Sequence, residues 1–269
     1  MKMIGQFKRE VQRYYRSHKR DFLWRRTRDP YRILVSEIML QQTQTGRVET
    51  KYPLFLERFP SFRALARATP RDVLTVWQGL GYNRRALALK RASEIVVAKY
   101  GGKLPRDPEA LQTLPGVGNA TAGAVAAFAF NRPESFIETN IRRVFIHYFF
   151  KGRKKVSDEK ILRLIGGTMD HKNPREWYYA LMDHGAMLGK LPENPNKRSA
   201  RYRIQSRFKG SRRELRGKIL KLLVAEKSVS VNAIAKHFSQ PLKYVEDVLN
   251  ELAKEGFVHR KGKKVRMSP

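Results

Sequence analysis

Between Leu114 and Asn140 the chain reads LPGVGNATAGAVAAFAFNRPESFIETN, and from Thr121 to Phe130 it is small and apolar on every helical face. A helix with no polar face has to be enclosed by others, so this run demands a multi-helix body around it. A short helix-forming segment, Pro108 to Thr113, precedes it, and Gly116 and Gly118 stand between the two. The pattern is helix, tight turn, helix. Glycines at such a turn let the backbone approach a ligand closely, and the N–H groups that open the second helix favour an anion such as a phosphate. Leu114, Gly116, Val117, Gly118 and Thr121 are the candidate residues of that anion-holding hairpin. By itself PGVG is equally compatible with an ordinary Gly-rich corner.

Charge says what kind of anion to expect. With 56 basic against 24 acidic residues the net charge is +32, which implies a polyanionic partner, nucleic acid first. An anionic membrane is a weaker reading, because no apolar run approaches the roughly 20 residues that would span a bilayer and nothing like a signal peptide opens the chain. A cytoplasmic protein, nucleoid-associated if prokaryotic, and a monomer are expected. There is no cysteine among the 269 residues, which excludes disulfides, Cys-ligated zinc, iron–sulfur clusters and Cys nucleophiles.

Along the chain, residues 1–21 read as a basic amphipathic helix with Ile4, Phe7, Val11 and Tyr14 or Tyr15 on one face. Tyr31 to Thr43 has helix length, and helices follow at about 45–58, 61–68, 70–77 and 83–100, then at 140–150, 157–170 and 174–188. No strand is expected before residue 256. Pro192 to Gly210 lacks apolar periodicity and reads as a linker or basic loop in which Lys197, Arg198, Arg201, Arg203 and Arg207 could meet phosphates. Ser211 to Ala225, Val231 to Phe238 and Pro241 to Glu255 form three further amphipathic helices, and two short strands flank Lys261-Gly262: a winged helix-turn-helix. From Lys197 onward, 20 basic residues face 6 acidic ones, consistent with phosphate contact. The expected fold is all-α, with a two-lobed body over 1–191 (lobe 22–130, and a second lobe of 1–21 plus 131–191), a basic segment 192–210 and a winged helix over 211–269.

Two carboxylates stand out. Glu37 has Ile33, Leu34, Leu40 and Gln41 as helical neighbours, an environment that desolvates a carboxyl, raises its pKa and suits a general acid. Glu138 immediately precedes the helix that starts near Asn140, where the positive helix end favours the ionised form; capping that helix is its alternative role. Two carboxylates whose surroundings push their pKa values apart are what cleavage of a glycosidic bond requires.

The blocks DPYRILVSEIMLQQTQT, VWQGLGYNRRALALKRAS, GGKLPRDPEALQTLPGVGNATAGAVAAFAF and ETNIRRVF, in continuous order over roughly residues 5–190, resemble the helix-hairpin-helix DNA glycosylase superfamily, specifically its MutY-like adenine glycosylases. The resemblance implies that Glu37 protonates a flipped adenine and that Glu138, with Asn140 in support, stabilises the positive charge left on the sugar. It implies too that Gln42 and Tyr82 wedge into the duplex where the base has left. Trp24, Arg25, Leu40, Ala120 and Asp183 are expected to line the base pocket, and the hairpin to hold a DNA phosphate, with a monovalent cation on its backbone carbonyls as a further expectation.

The chain departs from the family in four places. Glu138 stands where the family has Asp; one more methylene moves the charge outward by about 1.5 Å, a misplacement that costs on the order of 100-fold in rate. Ala120 stands where glycosylase-lyases carry Lys, so no Schiff base and no strand cleavage are expected. The four cysteines of the family's iron–sulfur cluster are missing, so neither a cluster nor any other side-chain-held metal or cofactor is expected. The winged helix replaces the usual C-terminal domain. The reading is a monofunctional base-excision glycosylase acting on double-stranded DNA, removing adenine mispaired with guanine or 8-oxoguanine. A glycosylase for another base, such as thymine or uracil opposite guanine or a deaminated or oxidised base, and a non-catalytic DNA-binding regulator are the alternatives.

Overall fold

The computed structural model of the protein describes residues 2–268. Eleven helices come first: α1 (Lys2–His18), α2 (Pro30–Leu40), α3 (Thr45–Arg58), α4 (Phe62–Arg67), α5 (Pro70–Trp77), α6 (Arg84–Tyr100), α7 (Pro108–Gln112), α8 (Asn119–Phe130), α9 (Thr139–Phe149), α10 (Asp158–Thr168) and α11 (Pro174–Leu188). The order then runs α12 (Arg212–Ala225), β1 (Val229–Ser230), α13 (Val231–His237), α14 (Leu242–Lys254), β2 (Val258–Lys261) and β3 (Lys264–Met267). This is a mostly helical protein with a C-terminal winged helix.

Helix ends follow local chemistry. Pro30 opens α2 with Asp29 Oδ1 accepting the Arg32 N–H at 3.0 Å, and Thr69 and Asp72 form a reciprocal capping box at the start of α5. Asp107 caps α7, and Ser211 caps α12.

The chain divides into two compact units. One holds the chain up to Glu37 with Leu104–Thr113 and Val117–Ile204; the other holds Ile38–Lys103, Leu114–Gly116 and the chain from Gln205 on. These limits differ from the lobes expected from sequence, because residues 38–103 group with the winged helix rather than with α8. In the first unit Phe7 of α1 packs against Phe145, Tyr148, Phe149 and Trp177, with ring centroids 5.0–5.8 Å apart, and α8 is buried from Thr121 to Phe128. In the second, Phe55, Phe59 and Trp77 form one aromatic cluster, and Ile219, Leu223, Val245, Val248, Leu249 and Phe257 fill the winged helix.

Two expectations are corrected. The strand Val229–Ser230 lies before residue 256, pairing antiparallel with β3; two residues carry no readable alternation, and only the sheet partner makes them a strand. The segment 192–210 is not all linker. Pro195–Arg198 forms a 3-10 turn, Asn196 and Ser199 are buried, and Val156 exchanges backbone hydrogen bonds with Arg198 (2.8 Å) and Ala200 (2.9 Å). Arg198 donates to the Phe150 carbonyl and so ties this segment to the first unit, whereas Lys197, Arg201, Arg203 and Arg207 are exposed, Arg201 reaching Asp158 at 3.2 Å.

Candidate active site

In the first unit, α2 is buried almost all round through Tyr31, Ile33, Leu34, Val35 and Ser36, and Glu37 follows as a half-buried carboxylate with no hydrogen-bond partner among the described residues. Burial, then the charge of Glu138, pushes the Glu37 carboxyl up to about 8, against the pull of Arg25. At neutral pH it keeps its proton. Tyr179 of α11, whose own hydroxyl feels Glu37, stacks on Phe128 at 4.5 Å and carries the Arg25 guanidinium 4.4 Å above its ring.

Glu138 is the N-cap of α9. Its Oε1 accepts the N–H groups of Asn140 and Ile141, both at 2.7 Å, and Asn140 Nδ2 donates to its Oε2 at 3.2 Å. Both oxygens are thus drawn back onto the first turn of α9. Burial raises the Glu138 carboxyl; the two backbone N–H groups, Arg143 and Arg142 oppose it. The helix end does favour the ionised form, as expected, but desolvation is the larger influence, and the capping role is the one the geometry shows. Asn140 is itself fixed, its Oδ1 accepting from Arg143 Nη1 at 2.8 Å while the same nitrogen donates to the Gly185 carbonyl at 2.6 Å. Gly185 lets α11 come this close, because a Cβ there would stand 2.3 Å from the Asn140 carbonyl oxygen.

Asp183 does not present a free carboxylate. It is 2% exposed and takes the Arg25 fork at 2.8 Å on each oxygen, Arg20 Nε at 2.6 Å and the Arg20 N–H at 3.0 Å. Burial pushes its carboxyl up, but the Arg25 and Arg20 contacts prevail and hold it below the usual range. Its role is to aim Arg25. Trp24 is buried and stacks on Phe22 at 4.8 Å.

The second unit carries Leu40, Gln42 and Tyr82. Gln42 (φ 54°) and Tyr82 (φ 46°) are two of the five non-glycine residues with left-handed backbone among those described. Such strain persists only where the surroundings over-determine it, and it gathers at functional sites. Here Arg85 does the holding. Its buried guanidinium donates to the carbonyls of Ile38 (2.8 Å), Met39 (2.8 Å) and Gln41 at the end of α2, to Thr43 Oγ1 (2.8 Å), and to the carbonyls of Leu80 (3.3 Å) and Gly81 (3.1 Å). One side chain ties together the loops that bear both left-handed residues. Burial depresses the guanidinium to about 10, still charged at neutral pH.

At the hairpin, Gly116 (φ 81°) is required twice over, since a Cβ would also meet Ala88 Cβ at 2.9 Å. Gly118 is extended, and a Cβ there meets nothing within 4 Å, so the protein's own packing leaves that position open. It caps α8 with no side-chain oxygen, so no side chain satisfies the first N–H groups of that helix, the arrangement that suits an anion. Ala120 is exposed on this first turn, Thr121 is buried on the next residue, and Leu114 and Val117 are buried anchors of the turn. The Gly116 carbonyl accepts Gln41 Nε2 at 3.0 Å, which occupies part of what a backbone-bound cation would use. Among the described residues no group of three or more His, Asp or Glu side chains could hold a metal.

Sequence reasoning missed Arg85, Arg143, Tyr179 and Gly185. Arg143 and Arg85 lie inside the blocks that carry the family resemblance, yet most acceptors of Arg85 are backbone carbonyls, which leave no mark in residue identity, and Arg143 reaches Asn194 and Gly185 about forty to fifty residues away.

A solved structure of a thermostable thymine-DNA glycosylase superposes with a TM-score of 0.64 at 28% identity, covering 72% of this chain and 91% of that one. By sequence the chain is 34% identical over 232 residues to the adenine DNA glycosylase of Mycolicibacterium smegmatis, 80% of this chain and 79% of that protein. It is also 35% identical over 178 residues to the thymine/uracil-DNA glycosylase of Methanothermobacter thermautotrophicus, 65% of this chain and 80% of that protein. Residues 35–166 match the family model described as HhH-GPD superfamily base excision DNA repair protein. The chain belongs to the HhH-GPD superfamily of base excision DNA repair proteins.

Proposed function

We propose that this protein is a monofunctional DNA glycosylase that flips adenine out of mispairs with guanine or 8-oxoguanine and hydrolyses its N-glycosidic bond. One observation carries the reading: Glu37 holds its proton up to about pH 8 and has no hydrogen-bond partner among the described residues, which suits a general acid waiting for a purine ring nitrogen. In the reaction Glu37 gives its proton to that nitrogen, the bonding pair of the glycosidic bond leaves with the base, and the Glu138 carboxylate stabilises the cationic sugar. Water then adds to the anomeric carbon and its proton returns to Glu37, leaving free base and an abasic site. Ala120 offers no amine on the first turn of α8, so no Schiff base forms and the strand stays intact until heat or alkali cleaves it.

Thymine or uracil opposite guanine is the second reading, favoured by the similarity to the thymine/uracil-DNA glycosylase. Single-turnover assays on duplexes carrying A:G, A:8-oxoG, T:G and U:G pairs separate the two. Release of adenine with alkali-dependent strand breakage is expected; release of thymine or uracil but not adenine replaces the first reading with the second.

A further inference from the structure

The C-terminal module has the helix order of a groove-reading winged helix, in which the third helix normally enters the major groove. Its charges are sorted against that use. The third helix, α14, bears Glu246, Asp247 and Glu251, with Glu255 next in the chain, against Lys243 and Lys254. Its C-terminal end is occupied: Glu251 takes Arg212 (2.8 Å) and Arg216 (3.0 Å), and Glu255 takes Arg84 and Arg216, both at 2.6 Å. Arg91 of α6 donates to the Glu255 carbonyl at 3.0 Å. Towards its start, Tyr244 lies under Arg212 and Asp247 faces solvent. A helix of this composition repels a phosphate backbone.

The hairpin is sorted the other way. The β2–β3 register places Lys261 directly opposite Lys264 and His259 opposite Arg266, all exposed, while Val258, Val265 and Met267 face the core. Lys263 extends the same basic tip beside Gly262, whose φ of 60° turns the chain. Like charges directly opposite on one sheet face are destabilising. Among the described residues none of Lys261, Lys263, Lys264 and Arg266 has a carboxylate within ion-pair distance; Arg260 alone reaches one, Glu246 at 3.9 Å. The repulsion is left uncompensated within the protein, and a row of phosphates relieves it.

We propose that the wing, not α14, is the nucleic-acid surface of this module, and that it grips the phosphate backbone of duplex DNA without reading sequence. This takes DNA as the partner but does not depend on which base is excised. The test compares the wild-type protein with a Lys261→Thr/Lys264→Thr variant by fluorescence anisotropy, on mispaired and fully paired duplexes across a salt series. Each phosphate contact contributes about 0.9 to the slope of log affinity against log salt, so the variant's slope should be shallower by about 1.8, equally on both duplexes. Over a fourfold rise in salt that is roughly a tenfold smaller loss of affinity. Threonine suits a strand, so the thermal midpoint should hold or rise and excision at saturating duplex should stay unchanged. An unchanged slope in a folded variant overturns the proposal, as does a loss confined to vesicles of anionic phospholipid. A change in sequence preference on Asp247→Ala/Asn250→Ala would return base reading to α14 and overturn it too. A wild-type protein that binds duplex but excises no base would undo the glycosylase reading and leave the wing result standing.

Discussion

Glu37 shows how a single carboxyl acquires a function from where it lies. Its raised pKa means that the folded protein binds this proton more tightly than the unfolded chain does, so the associated stability is present below the ordinary carboxylate range and is lost as pH rises through about 8. Activity follows the same proton. Single-turnover excision should be level at neutral pH and fall above pH 8. Its acid limb should belong to Glu138, above the ordinary carboxylate range because burial raises that group too. Glu37→Gln should lower excision by about 10²–10⁴-fold while leaving duplex affinity intact, and should be more stable than wild type above pH 8, the difference shrinking towards pH 5. A Glu37→Gln protein with wild-type excision would remove Glu37 from the chemistry. The apolar neighbours of Glu37 are legible in the sequence; its coupling to Glu138, one hundred residues on, is not.

At the scale of elements, the end of α2 and the turn before α6 are one device because of Arg85. The C-terminal carbonyls of a helix have no intrahelical partner, and a guanidinium satisfies several of them at once in a way an ammonium cannot. Arg85→Lys retains the charge but loses the fork. The expected cost is about 2–3 kcal/mol of stability, with excision of a paired target falling at least about tenfold as Gln42 and Tyr82 leave their left-handed conformations. Excision of adenine opposite an abasic site, where no partner has to be displaced, should stay near wild type. Equal losses on both substrates would make Arg85 a folding residue only. The helices themselves were readable: α3, α5, α11 and α12 to α14 begin and end within two residues of where capping and periodicity put them. The two-residue strand and the 3-10 turn at Pro195–Arg198 were not, since each exists only against a distant partner.

For the molecule as a whole, a net charge of +32 is an unequal distribution rather than a uniform coat. In the C-terminal module Glu251 and Glu255 are held in ion pairs, and Glu255 joins α14 to α6 and α12 through Arg84 and Arg216. Burial opposes ionisation of Glu255, but the two arginines outweigh it, so its contribution is present above the ordinary carboxylate range and is lost as pH falls through its depressed pKa. Glu255→Ala should therefore destabilise the protein by about 1–3 kcal/mol near pH 7 and by less in acid, measured by thermal melts at both pH values. An equal loss at both would show that the pairs do not carry the docking of α14. The compact units group residues 38–103 with the winged helix, whereas chain order put them in one lobe with residues 22–37 and 104–130.

The sequence by itself determined the helical body, the winged helix, the lack of any thiol ligand and the two carboxylates, because periodicity, caps, composition and motif blocks are local properties of residue order. The tertiary structure decided the rest: that Asp183 is consumed by Arg20 and Arg25, that Glu138 folds back onto α9, that Arg85 stands behind both left-handed residues, and that like charges face each other across the wing. The pairings of Asp183 with Arg20 and Arg25, and of Arg85 with the end of α2, span tens to more than a hundred residues, and the energy of all four features depends on distance and desolvation, neither of which is written in the order of the chain.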